Sequence, residues 1–121
     1  MDVYEISKEI RAKVKLLETG RNLMKERSKL KAETMAEYEK EIAITILKLR
    51  NGVEMKFEGQ VIVKTPVTVL DKIAKGICWR ERLAMDMADN EFRAAIIGMK
   101  AIETEMTGLQ SINKYFDKVE K

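Results

Sequence analysis

Few residues of this chain are equipped for chemistry. Histidine is absent, which removes the commonest general base. Cys78 is the single cysteine, so neither an internal disulfide nor a zinc site built from Cys and His can form. Glu91 and Glu105 fall inside the broad apolar arc of one helical segment and on one face of it. Two carboxylates on a face could serve acid–base or metal chemistry, but no histidine or third ligand joins them. The simpler reading makes Glu105 a register residue paired with Arg21, a cation interrupting the apolar seam of an earlier helix; such a pair specifies alignment more than it adds stability. Cys78 opens a helix, where a thiol is activated, yet no base or acid stands beside it in sequence. No GxGxxG or Walker pattern cradles a phosphate. The expectation is a chain without catalytic, cofactor-binding or metal-binding residues.

A second set of residues could bind by charge. Between Lys8 and Lys31 nine Lys/Arg stand against Glu9, Glu18 and Glu26, a local balance of +6 in a chain of net charge +3. From Glu81 onward six basic and eight acidic residues give −2. Lys8, Arg11, Lys15, Arg21, Lys25, Arg27, Lys29 and Lys31 could therefore track a phosphate backbone. The bland alternative is a solvated helical face, and no aromatic residue is interleaved to stack on a base. Trp79 is expected to plug the junction between a short helix and the last one, the sharper reading being an exposed anchor for a partner. The eight methionines are core filler first and an adaptable binding surface second.

The elements that must position these residues are helical. Ala, Glu, Lys, Leu, Arg, Ile and Met dominate, with one proline and six glycines, a composition suited to long helices. The first helix spans about 2–50, capped by Asp2 with Glu5 three residues on and closed by Gly52. Its 3/4 spacing selects Ile10, Val14, Leu17, Met24, Met35, Tyr38, Ile42 and Leu49, with Arg21, Ser28 and Lys31 in the same register and Leu16, Leu23 and Leu30 as a neighbouring row. Gly20 is expected to leave the helix continuous. Residues 53–64 alternate loosely around Gly59 and form either a small β-hairpin or an extended loop. Thr65-Pro66 reads as an N-cap with proline at the first helical position, opening a short helix over 66–75 that stops at Gly76.

The last helix spans about 78–119. Met85, Ala88, Phe92, Ala95, Met99, Ile102, Met106, Leu109, Asn113 and Phe116 hold an unbroken 3/4 spacing, and a second apolar row runs through Leu83, Met87, Ala94, Ile97, Ala101, Gly108, Ile112, Tyr115 and Val119. A helix apolar over more than half its girth is not satisfied by one neighbour. Forty helical residues span about 60 Å, too long for the middle segment to cover. The first helix folding back antiparallel fills one seam. A second copy of the chain fills the other, giving a homodimer and a four-helix assembly, with Met85, Phe92, Met99, Ile102, Met106, Leu109 and Phe116 as the oligomer seam. The alternative is a monomer whose residues 53–76 shield that face.

The chain is thus read as one all-α domain: two long antiparallel helices in a coiled-coil-like hairpin joined by a short helix. At 121 residues, 45% apolar and 36% charged, it is too apolar for disorder. The start has no signal-peptide pattern, and no stretch approaches a membrane span; the expected setting is the cytoplasm.

Three pieces in order, Tyr38-Glu39-Lys40 through Ile46-Leu47-Lys48-Leu49-Arg50-Asn51-Gly52, Thr65 through Gly76, and Ala84 through Phe116 with Leu109-Gln110-Ser111-Ile112 near its end, are similar to small helical proteins of phages and prophages of Gram-positive bacteria. The resemblance covers about two-thirds of the chain and implies an elongated helical hairpin with a short connecting helix. It carries over no functional residues. The expected function is a non-catalytic interaction protein presenting a long helical surface to a protein partner. The alternatives are an accessory nucleic-acid-binding protein of a replication or recombination module, and an inhibitor of host defence; net positive charge argues against an acidic DNA mimic.

Overall fold

The computed structural model describes residues 2–120 and is dominated by helix. The order is α1 (Val3–Arg50), β1 (Met55–Phe57), β2 (Gln60–Ile62), α2 (Leu70–Ile77) and α3 (Trp79–Glu120). No helix among the described residues is long and apolar enough to cross a membrane.

Local chemistry explains the ends of α1. The Glu5 amide donates to Asp2 Oδ1 at 2.8 Å, satisfying one of the orphan donors of the first turn. At the far end Gly52 adopts φ 72°. There Gly52 N–H donates to Leu49 O and Val53 N–H to Lys48 O, at 3.3 and 2.9 Å, which is a Schellman closure. Gly20 leaves the helix unbroken.

Residues 53–64 take the hairpin alternative. Met55 pairs with Ile62, Lys56 with Val61 and Phe57 with Gln60 in antiparallel register. Glu58 and Gly59 turn the chain at φ 50° and 76°, the two positive φ values that a tight two-residue hairpin loop requires.

The short helix differs from expectation at both ends. It was predicted over 66–75 with Thr65 as cap; it runs from Leu70 to Ile77, and Val69 precedes it with no side-chain cap. Pro66 O instead accepts from Val69 N–H at 3.1 Å, closing a turn. Val67, Thr68 and Val69 are β-branched and poor at entering a helix, so the helix waits for Leu70. Thr65 Oγ1 is buried with no hydrogen-bond partner among the described residues. Gly76 does not stop the helix. A Cβ there would lie 2.7 Å from Phe57 Cζ, so the glycine seats the aromatic ring of the hairpin against α2.

By their contacts the described residues group into two compact units: residues up to Ser28 with those from Glu91 on, and Lys29–Asn90. In the second unit Leu49, Leu70 and Ala74 form a buried cluster with Ile46, Met55, Ile62, Ile73 and Ile77 packed against it. Thr45, 4% exposed, lies with its Oγ1 3.3 Å from the Sγ of buried Cys78. In the first unit Ile6, Leu17 and Met99 are buried. A Cβ on Gly20 would come within 3.1 Å of Met99 Cγ.

Candidate docking surface

The inward side of α1 is partly polar. In the first unit its buried or half-buried positions include Val3, Ile6, Ile10, Lys13, Leu17, Gly20, Met24 and Arg27, and in the second Lys31, Thr34, Tyr38, Thr45 and Leu49. This row departs from the predicted one by one residue at four places: Lys13, Gly20, Arg27 and Thr34 stand where Val14, Arg21, Ser28 and Met35 were expected. The Tyr38 hydroxyl is buried without a hydrogen-bond partner among the described residues, while the charged members and Thr34 have partners. Lys13 forms an ion pair with Glu105, and Arg27 Nη1 donates to the Glu91 carbonyl at 3.0 Å. Lys31 Nζ lies 3.0 Å from Asp89 Oδ1. Thr34 Oγ1 is within 2.9 Å of Leu30 O and 3.0 Å of Lys31 O.

Glu105 therefore pairs with Lys13 rather than with Arg21. The predicted register set Leu49 opposite Trp79. In the second unit Leu49 is instead taken up by α2 and Cys78 meets Thr45; in the first the partner of Glu105 stands about two helical turns nearer the start of α1 than Arg21. The Glu105 carboxylate, through its hydrogen bond to the ammonium, holds Lys13 above the usual lysine range.

The other candidate residues fall as follows. Glu91 and Glu105 lie fourteen residues apart on α3, about 21 Å at helical rise, beyond the ~5–9.5 Å separation at which two carboxylates flank a scissile bond. Among the described residues no three His, Cys, Asp or Glu cluster as metal ligands. Of the basic set, Lys8, Arg11, Lys15, Arg21, Lys25 and Lys29 are exposed, whereas Arg27 and Lys31 are half-buried in the contacts given above. Lys29 sits 3.9 Å from Glu33. Trp79 is not the expected plug: it is 51% exposed, with the Arg80 guanidinium 5.3 Å from its ring centroid.

The residues expected as an oligomer seam are placed as follows. Met85 in the second unit, and Phe92, Met99, Ile102, Met106, Leu109 and Phe116 in the first, are buried or half-buried; they are the inward row of α3, the row in which Met99 meets Gly20. The uncovered row is the neighbouring one. In the second unit Leu83 and Met87 are exposed. In the first, Glu91, Ala94, Gly98, Ala101, Glu105, Gly108, Ile112, Tyr115 and Val119 follow unbroken 3/4 spacing, and all nine are exposed. On α1 of the same unit, Glu5, Glu9, Ala12, Leu16, Thr19, Leu23 and Glu26 make a second exposed row with the same spacing.

A shallow groove ties these two rows together, lined by Glu9 and Lys13 from α1 and by Glu105, Gly108, Leu109 and Ile112 from α3. Positions spaced by alternating threes and fours share a helix face, so the rows containing Glu9 and Ile112 border one surface of the unit. The sequence showed Leu16 and Leu23 of the α1 row and Ala94, Ala101, Gly108, Ile112, Tyr115 and Val119 of the α3 row, but their common side depends on the inward register of α1.

Compared with known proteins, the chain matches no family model, no curated protein and no solved structure.

Proposed function

We propose that this chain is a non-catalytic helical interaction protein whose long helices α1 and α3 pair antiparallel as a coiled-coil-like hairpin and offer an outer surface to a protein partner. Support for the pairing comes from each unit separately. In the first, Lys13, Gly20 and Arg27 ascend α1 as their partners Glu105, Met99 and Glu91 descend α3. In the second, Lys31 and Thr45 meet Asp89 and Cys78 in the same opposed order.

The observation that carries the functional reading is the exposed apolar row of α3. Ile112, Tyr115 and Val119 are 46%, 65% and 64% exposed on a helix whose opposite row is already covered. Contiguous exposed apolar surface of this kind marks an interaction site. A second copy of the chain is the simplest occupant. The similarity to small helical phage proteins makes a phage setting, and with it interference with a host protein, part of the proposal. A photo-crosslinker placed at Ile112 should capture one discrete protein or a second copy, while the same group at Lys25 should not. Equal capture at both positions would remove the reading.

A nucleic-acid role is the second reading, favoured by the six cations that stay exposed on α1. It is tested by fluorescence anisotropy of labelled DNA at low and physiological salt. Binding that weakens steeply with salt and is lost when Lys15, Arg21 and Lys25 are reversed to Glu would support it. Arg27 and Lys31 do not belong in that variant, because both hold contacts inside the protein.

A further inference from the structure

We infer that the outer edge of β2 pairs, antiparallel and two-fold, with β2 of a second copy of this chain. The residues concerned all lie within Lys29–Asn90, so the contact is separate from the exposed row of α3 and independent of how α1 meets α3.

Backbone geometry makes the occupant an extended strand. Phe57 and Gln60 flank the two-residue loop and face each other, so they exchange both of their hydrogen bonds. The next pair, Lys56 and Val61, falls at the alternate position, where N–H and C=O point away from the partner strand. No backbone hydrogen bond among the described residues takes up either of them on that outer side. The hairpin is held in place from one face. Met55 and Ile62 pack on the Leu49, Leu70 and Ala74 cluster, and the Phe57 ring sits on Gly76. A held strand with outward donors and acceptors is a template for another strand.

Sequence distinguishes the two edges and selects the partner. Lys56 stands at the centre of the β1 edge, between Glu54 and Glu58, and a lysine there guards an edge against pairing. The β2 edge runs through Gln60, Val61, Ile62 and Val63 without a charge. Val61 and Val63 are β-branched, suited to a strand, and each is 50% exposed. This stretch is complementary to itself. With Val61 opposite Val61 of a second copy, Gln60 faces Ile62 and Val63 faces Gly59. At each end Glu58 then meets Lys64 of the other copy, an opposite-charge pair across strands. The same operation on β1 sets Lys56 against Lys56 and Glu54 against Glu58, like charges directly opposite. Two-fold pairing of one patch with itself is the commonest form of self-association. Three residues in β2 make a small contact, so the dimer is weak and concentration-dependent.

The test is amide exchange of the full chain, followed residue by residue at about 20 μM and about 1 mM. Val61 N–H should exchange at least about threefold more slowly at the higher concentration, while Lys56 N–H, equally outward, should not change. Lys64→Glu sets Glu58 against a glutamate and should abolish the slowing. The double variant Glu58→Lys/Lys64→Glu restores opposite charges and should restore it. Both side chains are exposed, so helix content should stay at the parent level in each variant. Equal exchange of Val61 N–H at both concentrations, equal slowing of Lys56 N–H, or slowing that persists in Lys64→Glu would overturn the inference. So would a dimer seen by light scattering without protection of Val61 N–H. A photo-crosslinker at Val61 that takes a different protein in preference to a second copy would overturn it as well.

Discussion

Gly20 of α1 lies beneath the thioether side chain of Met99 on α3, with room for a Cβ only 3.1 Å from Met99 Cγ. Two effects compete at this position. Gly20→Ala adds up to about 1 kcal/mol of helix propensity, and the flexible Met99 chain must shift by a few tenths of an ångström. The expected net change in urea unfolding is within about 0.5 kcal/mol. Gly20→Leu cannot be accommodated by that small shift and should destabilise by about 1–3 kcal/mol.

Gly76 should behave differently. Its missing Cβ is replaced by the Phe57 ring at 2.7 Å, and a ring is less able to yield than a thioether. Gly76→Ala should lose about 1–3 kcal/mol despite its better helix propensity. Adding Phe57→Leu should restore part of the loss, and a double-mutant cycle measures how much.

Glu58 is the only non-glycine residue among those described with positive φ, at 50°. Glutamate is strained there, whereas asparagine enters the left-handed region more readily. Glu58→Asn should stabilise the β1–β2 hairpin by about 0.5 kcal/mol, read as slower amide exchange in residues 55–62 without a change in helix content.

The Lys13–Glu105 pair sets a pH dependence. Glu105 raises the folded-state lysine above its ordinary value of 10.5. Its contribution is therefore fully present below the unfolded-state value and is lost as pH rises through the raised folded-state value. Thermal unfolding of the parent should lose stability across this alkaline window more steeply than Lys13→Met, and the two slopes should coincide near neutral pH. Parallel curves throughout would mean the pair contributes nothing to folding.

These residues also show what the sequence made legible. Asp2 with Glu5 and Asn51 with Gly52 announced both ends of α1, because caps are local chemistry. The inward row of α3 was visible in full, being apolar at nine of ten positions. The inward row of α1 was misaligned between residues 13 and 34 because Lys13, Gly20, Arg27 and Thr34 are not large apolar residues; Lys13, Gly20 and Arg27 meet Glu105, Met99 and Glu91 of α3, and Thr34 bonds back to carbonyls of its own helix. Apolar periodicity cannot register such a row. The signal that could have found it is the 3/4 spacing from Val3 through Lys31 once polar members are admitted, with Glu105 and Asp89 as opposite charges on α3. Trp79 was placed inside on residue type alone, and nothing in its neighbours' spacing required that. The groove depended on the same register, so it was out of reach until Glu9 and Ile112 were seen on one side.

The proposed antiparallel pairing of α1 with α3 underlies the proposed docking surface, and one disulfide tests it most directly. In a Cys78→Ser background, Gly20→Cys and Met99→Cys place two thiols at facing positions, the Gly20 Cβ site lying 3.1 Å from Met99 Cγ, close enough to approach the Cβ separation of about 3.5–4.5 Å that a disulfide needs. Mild oxidation should give an intramolecular disulfide, seen as faster migration of the monomer on a non-reducing gel. The control pair Arg21→Cys with Met99→Cys should form far less. Efficient closure of the control pair, or disulfides formed only between chains, would contradict the pairing and the surface built on it.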